Sequence, residues 1–389
     1  MSVNPRVLYV WQAGFPWDVR VEKICVSLAK RGWGVEILAR RRPGEPKTTN
    51  HQGVKIYRVG PGSFTSLSLP VPGNWVWDFA IRKRIREFRP DIIIVRDIPL
   101  ALSVAHEARR AGIPWVIDMA EHYPEAMRTW KKYQSHALSR LLINTLRLPD
   151  RIEKRSVMLA DGVFPVCDEQ RDRLVSQYGC DPAKIVSVTN APEKSRFANF
   201  KVQGKPVGKR FGYHGVVIQD RDLLTVVRGF DLAADQDPEI SLVIAGSGES
   251  LKDVESVVKG LRHRERIKLL GAFKPEQVDQ LYSEVDFGVV SWAVNEFTNN
   301  TIANKFFDYA ACGKPILYTA TRPMLRAMTK MRCGRPFDGG QPESVARAML
   351  QLVSDDYGTM VRNGRAAIDT EFNWENEMDR MLGFLNKLL

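Results

Sequence analysis

The sequence is poor in the features that assign a class at once. No apolar run reaches the ~18–20 residues a membrane-spanning helix requires. The opening "MSVNPRVLYVW" passes directly into an apolar strand, with no signal-peptide pattern. Cysteine is scarce: residues 25, 167, 180, 312 and 333 are odd in number and lack CxxC pairing. That excludes a zinc ribbon and a disulfide framework, and predicts reduced thiols in a cytosolic setting. Cys25 and Cys312 fall on apolar helix faces, where a core role is expected. Low-complexity tracts and short internal repeats are missing as well.

The remainder describes a soluble chain with room for two domains. Its 389 residues exceed one ordinary domain, and 44% hydrophobic content supplies real cores. The net charge of +12 is unevenly held. Residues 1–195 carry 31 Lys and Arg against 20 Asp and Glu, whereas residues 196–389 carry 26 against 25. A basic first half points to an anionic partner, nucleic acid or a membrane surface.

Short apolar runs alternate with helical periods. "RVLYVW", "GVEILAR", "DIIIVR", "PWVIDM" and "GVFPV" have the continuous hydrophobicity of strands buried on both faces of a parallel sheet. Val21, Ile24, Cys25, Leu28 and Ala29 keep helical spacing until Gly32. The scheme returns in "RFGYHG", "ISLVIAG", "RIKLLGAF", "DFGVVS" and "KPILYT". The predicted fold class is α/β: two Rossmann-like, doubly wound domains facing across a cleft, where the carboxyl ends of both sheets receive ligands. Residues 190–209 are aperiodic and serve as the linker. Domains are expected at 1–195 and 196–370, with 371–389 a final helix packing back toward the first domain.

One stretch carries chemistry. "NKFFDYAACGKPIL", residues 304–317, predicts a short apolar helix from Asn304 to Cys312, with Thr301 and the nearby asparagines as N-caps. Free N–H groups at Asn304 and the positive end of the helix dipole suit a diphosphate. Lys305 adds a full charge there. Side chains lean toward a helix N-terminus, so Asp308 leans toward the same ligand, where a carboxylate accepts hydrogen bonds from vicinal sugar hydroxyls. The competing reading is an ordinary i, i+3 surface pair.

These residues resemble the donor-binding signature of the retaining, family-4-like glycosyltransferases of GT-B fold. In that signature two acids stand eight residues apart around a helix ending AxGxP. Asp308 falls on the second acid, which holds the nucleotide ribose; the first falls on Asn300, so the two-acid form is broken. "FPWDVRVEKICVSLAKRGWGVEIL" resembles the family's opening element, placing Gly14 in a loop of close backbone approach and Arg20 within reach of phosphate. "YHGVVIQDRDLLTVVRGF" resembles the first strand and helix of the donor domain, with Gly215 in the tight turn and Arg221 where a diphosphate-binding Lys is usual. A companion basic position falls on Val216. "VIAGSGES", "LLGAFKPEQVDQLYSEVDFGVV" and "VTNAPEKSRF" match in order, so the resemblance covers nearly the whole chain. It implies transfer of a sugar from a UDP- or GDP-linked donor to a lipid-linked or growing glycan acceptor in bacterial-style envelope synthesis, with retention and no protein nucleophile. Asn300 and Thr301 would touch the donor sugar or β-phosphate.

Other motifs admit plainer readings. "GSGES" at 246–250 lacks the third glycine of a dinucleotide fingerprint. "DRD" at 220–222 precedes a helix, where capping by Asp220 or Asp222 accounts for it better than metal binding; no metal and no cofactor beyond the substrate nucleotide is expected. "DMAEHYPEAM" follows a strand and gathers Glu121, His122 and Glu125. A satisfied loop histidine is the plain account, while the resemblance puts His122 beside the donor sugar, and the spacing serves Glu121 equally. Residues 126–156 hold eight basic and two acidic residues beside Trp130 and several leucines, and "NWVWDFAIRKRIREFR" adds Trp75, Trp77 and five more basic residues. That mixture fits an anionic membrane interface or a solvated basic face. With no nucleic-acid signature visible, the expected location is cytoplasmic, peripheral on the inner face of the membrane. A nucleotide-sugar epimerase and a non-catalytic basic scaffold remain the rival classes.

Overall fold

The apolar runs of the first half form strands because each buries side chains on both faces. In chain order the strands are β1 (Arg6–Trp11), β2 (Gly34–Arg40), β3 (Thr48–His51), β4 (Val54–Val59), β5 (Ile92–Arg96), β6 (Trp115–Met119) and β7 (Gly162–Pro165). The structure, a computed structural model, describes residues 4–389 apart from Trp17, Ser63 and Phe64, and apart from the side chains of Thr65, Lys131, Lys132 and Pro275. Trp17 of the opening motif and the side chains of Lys131 and Lys132 in the basic segment thus lie outside the described residues.

The described strands of this half lie in the order β3-β4-β2-β1-β5-β6-β7, all parallel except β3. The connecting helices are α1 (Val19–Lys30), α2 (Trp75–Phe88), α3 (Ala101–Ala111), α4 (Tyr123–Thr129), α5 (Lys131–Gln134), α6 (Ala137–Arg140), α7 (Leu148–Leu159) and α8 (Asp168–Tyr178). A π-helical turn, Leu141–Thr145, follows α6. The Asp18 carboxylate caps α1 by accepting the amides of Arg20 and Val21, and Asn74 caps α2 at Val76. Trp77 and Ile81 of α2, Val104 of α3 and Val157 of α7 pack with Leu8, Val10 and Ile93 in one core. The β3–β4 hairpin escaped the sequence reading because its first strand, "TTNH", is polar and half exposed.

The second half holds α9 (Lys194–Phe197), β8 (Lys209–His214), α10 (Leu223–Ala234), β9 (Ile240–Ala245), α11 (Leu251–Lys259), β10 (Ile267–Gly271), α12 (Val278–Ser283) and β11 (Phe287–Val290). It continues with α13 (Asn304–Ala311), β12 (Ile316–Thr319), α14 (Arg322–Met331), β13 (Gly334–Phe337), α15 (Pro342–Ser354), α16 (Tyr357–Thr370) and α17 (Trp374–Leu388). Its described strands are parallel in the order β10-β9-β8-β11-β12-β13.

Two compact units result: Met1–Thr189 with Met378–Leu389, and Asn190–Glu377. The boundary falls after Thr189 rather than after 195, since the aperiodic stretch contains α9 and belongs to the second unit. Within the first unit Phe384 of α17 meets the Phe164 ring edge-on at 5.6 Å, in space left by Gly162, where a Cβ would lie 2.2 Å from the Phe384 ring. All five cysteines are buried free thiols. Burial pushes the Cys25 and Cys333 thiols upward, as inert core residues require.

Candidate active site

In the second unit β8 and β11 are neighbours, and the chain runs outward from them in opposite directions. Ligands of open α/β sheets bind at the carboxyl ends beside such a switch point. Three glycines shape this edge. Gly215, directly after β8, has φ +136°, and a Cβ there would lie 2.5 Å from Lys305 Nζ. A Cβ on Gly246 would lie 1.8 Å from the Gly215 carbonyl oxygen, and one on Gly248 2.1 Å from that of Val217. "GSGES" is therefore a packing motif that lets the loop after β9 lie against the loop after β8, fastened by Val217 N donating to Ser247 O at 3.0 Å.

Lys305, in the first turn of α13, reaches back to this edge. Its ammonium donates to the His214 carbonyl and lies 4.2 Å from the centroid of the Tyr213 ring. Burial, with Arg221 nearby and Asp308 only partly opposing, holds the amine down to about 7. Arg221 stands 5.1 Å from the centroid of the Trp292 ring, and its buried Nη1 has no hydrogen-bond partner. Neither cation forms an ion pair among the described residues. The two cations repel each other here, and only Asp308 partly opposes them, so the edge carries a local excess of positive charge.

Asp308, one turn after Lys305, accepts from Tyr282 Oη at 3.3 Å. Tyr282 and Tyr309 sandwich His214: Tyr309 Oη meets its Nδ1 at 2.9 Å and Tyr282 Oη its Nε2 at 3.1 Å. Burial first, then Lys305 and Arg196, push the imidazole down to about 3, so it is neutral. Its one N–H donates to Tyr309 Oη, its Nε2 accepts from Tyr282 Oη, and that hydroxyl's single proton is shared between His214 and Asp308. Tyr309 also donates 2.5 Å to the Gly212 carbonyl, across Gly288, where a Cβ would lie 2.3 Å from its ring. These contacts fix α13 against β8 and so fix where Lys305 and Asp308 stand. Gly313, at φ +65°, ends the helix.

Several expectations are corrected. Ala303, not Thr301 or an asparagine, occupies the N-cap of α13 and gives no side-chain cap. The first amide donors of the helix, Asn304 among them, thus stay open to a ligand. Asn300 is buried and its Nδ2 donates 2.7 Å to the Glu296 carbonyl, closing the 295–300 loop instead of facing a sugar. Thr301 is buried beside it. Asp222 holds the N-cap position of α10 at φ 46°, but its carboxylate accepts from Thr225 Oγ1 and from Gly340 N, not from the helix amides. Val216 is exposed, without the expected companion charge.

In the first unit Gly14, Arg20, Glu121 and His122 all lie near the carboxyl edge of the sheet, after β1 and β6. Arg20 departs from its expected role. It is buried, its Nε donates 2.7 Å to Asp118 Oδ1, and its Nη1 donates 2.6 Å to the Val188 carbonyl, so it braces the unit rather than facing phosphate. Asp118 also takes Tyr9 Oη at 2.5 Å and Arg96 Nη1 at 3.0 Å. Burial raises its carboxyl, and Arg20 and Arg96 more than offset that. Burial and the neighbouring Glu121 and Asp118 lift Asp97 to about 7, against the pull of Arg96. His122 is buried at the N-cap of α4, ahead of Pro124, while Glu121 is half-buried. The close approach that Gly14 permits is by Arg42, whose Nε would lie 2.2 Å from an added Cβ. His214, Tyr282, Tyr309, Trp292, Asp97 and Asp118 were not singled out from the sequence; aromatic and acidic residues at strand ends were the available signal.

Two family models match this chain: a glycosyl transferase 4-like domain over residues 18–191 and glycosyl transferases group 1 over residues 208–355. Mannosylfructose-phosphate synthase of Agrobacterium fabrum is 23% identical over 290 residues, covering 68% of this chain and 62% of that protein's length. Sucrose-phosphate synthase of Thermosynechococcus elongatus superposes with a TM-score of 0.74 at 15% identity over 99% of each chain. Anabaena HepE, solved in complex with UDP, gives 0.72 at 13% identity over 98% of this chain and 100% of that one.

Proposed function

Since the chain belongs to the family-4-like glycosyltransferases of GT-B fold, we propose that it moves a sugar from a UDP- or GDP-linked donor to a hydroxyl of a lipid-linked or growing glycan acceptor, with retention of configuration. The observation that carries this reading is the uncapped start of α13 with Lys305 and Arg221 converging on it, unpaired. The bond from the anomeric carbon to the diphosphate oxygen breaks as the acceptor oxygen takes its place on the same face, and the acceptor hydroxyl's proton passes to the departing diphosphate oxygen. The charge gathering on the leaving diphosphate falls where two cations and the helix amides already stand. Asp308, steadied by Tyr282, accepts the ribose hydroxyls. The resemblance gives His122 or Glu121, at the carboxyl edge of the first unit's sheet, the role of orienting sugar and acceptor, and the proposed reaction uses no metal. HepE has been solved with UDP-glucose as well as UDP, which favours a uridine donor.

No helix among the described residues is long and apolar enough to span a membrane. A lipid-linked acceptor would favour peripheral action at the cytoplasmic face. The test is thermal shift with UDP and GDP, then mass spectrometry with nucleotide sugars and candidate acceptors. A nucleotide at about 100 times its Kd adds about 2.7 kcal/mol. Absence of any shift would remove the diphosphate assignment; an epimer formed from donor alone would replace the transferase with an epimerase; loss of activity on chelation, restored by Mg²⁺ or Mn²⁺, would remove metal independence.

A further inference from the structure

We propose that the helical layer α2–α3–α7 of the first unit is a docking face for an anionic lipid bilayer, whose phosphates enter the groove along α3. This deepens the membrane-acceptor reading above and rests on it for the acceptor's identity.

The large exposed apolar residues of this unit fall mainly in two segments, 67–79 and 138–159. Trp75 is 73% exposed and Phe79, one turn later on α2, 63%. Trp77 and Ile81 of the same helix are buried against the sheet, so α2 is apolar on two faces, which a solvated helix does not need. In the second segment Leu138 is 67% exposed, and Leu141, Leu146 and Leu148 stand out with it; Ile143 is the one buried residue of the stretch 135–148. α2, α3 and α7 each connect parallel strands and run against them, so their N-termini share the carboxyl edge of the sheet. Trp75 begins α2 and Leu148 begins α7. Both segments therefore approach the edge that carries Glu121 and His122.

Between them lies a groove of about 980 Å³. Gly73 and Asp78 line it from one segment, Arg155 and Leu159 from the other, and His106 and Arg109 from α3. Of its acids, Asp161 accepts the Trp115 amide at 3.0 Å and Asp78 acts on Arg82. The cations are freer. Arg109 and Arg155 of the lining are exposed, as are Arg140, Arg151 and Lys154 elsewhere on the second segment, and none of the five forms an ion pair among the described residues. Arg82 and Arg84, by contrast, are tied to Glu107 and Glu36. Tryptophan and leucine interleaved with unpaired cations suit the headgroup boundary of an anionic membrane.

The test is sedimentation of the full chain with vesicles of equal parts phosphatidylcholine and phosphatidylglycerol, and with phosphatidylcholine alone, with UDP thermal shift run on every variant. Binding should require phosphatidylglycerol and weaken with salt. Trp75→Glu with Phe79→Glu, and separately Leu138→Glu with Leu141→Glu, should each lower it at least about tenfold. Arg109→Ala and Arg155→Ala should each lower it about fivefold. Each variant should keep the wild-type UDP response, since the substitutions lie outside the second unit. No binding, equal binding to both vesicles, or unchanged binding by the Trp75/Phe79 variant would overturn the proposal. So would a dimer that this variant dissolves without lipid, which would make a second copy the occupant. Vesicle binding without any UDP response would sink the transferase reading and leave the docking face standing.

Discussion

Replacing Lys305 with methionine should stabilise the protein while removing its nucleotide response. The amine is held near 7, well below its ordinary 10.5, by burial and by Arg221. Each unit of such a shift corresponds to about 1.4 kcal/mol, so keeping the folded amine charged costs on the order of 5 kcal/mol. Because the folded value lies below the unfolded one, that cost is fully present below about pH 7, declines as pH rises toward 10.5 and is absent above it. Methionine keeps the aliphatic length and forfeits the hydrogen bond to the His214 carbonyl, worth about 1 kcal/mol. A net gain of roughly 4 kcal/mol at pH 6 should raise Tm by about 8–15 °C, shrinking toward zero or below near pH 10. Scanning fluorimetry at both pH values, with and without UDP, reads this directly. UDP should stabilise the wild type, with proton uptake near pH 8 as the amine recharges, and should leave the variant unmoved. A variant less stable than wild type at both pH values, or one that UDP stabilises equally, would refute the unpaired, charge-strained site.

Three further outcomes follow from the same contacts. Arg221→Ala should weaken UDP binding about 30-fold or more and slow turnover by orders of magnitude in a folded protein, as isothermal titration and product assays would record. Asp308→Asn should raise donor KM about tenfold with a smaller change in kcat, because the ribose contact persists from ground state to transition state; an unchanged KM would remove the ribose role. Arg20→Met should destabilise by about 3–5 kcal/mol by leaving buried Asp118 without Nε and Nη partners, and chemical denaturation would show it. A stable Arg20→Met protein that had lost only nucleotide affinity would restore the phosphate-contact reading.

Arg20 and Arg221 show where legibility in the sequence ends. Both are arginines shortly after the first strand of a unit, and the sequence offers the same role for each. Asp118 lies 98 positions from Arg20 and neutralises it in the core, whereas Arg221 meets the face of Trp292 and pairs with no acid among the described residues. Strands were legible because burial on both faces demands continuous apolar runs, and α13 because Gly313 must stop it where φ turns positive. Lys305 and Asp308 were legible because helix geometry ties them to one end of that helix. His214 was not, although it stands in the strand run "RFGYHG": it becomes a neutral strut through tyrosines 68 and 95 positions away. Asn300 failed in the opposite sense, since the loop that needed closing took its amide. Residue type and local spacing set what a side chain can do, and partners distant in the chain decide which charges are spent in the core and which stay available. Lys305 and Arg221 are the cations left without a paired acid at this sheet edge, which supports the diphosphate proposal, and their separate removal is the sharpest division between a donor site and an ordinary basic surface.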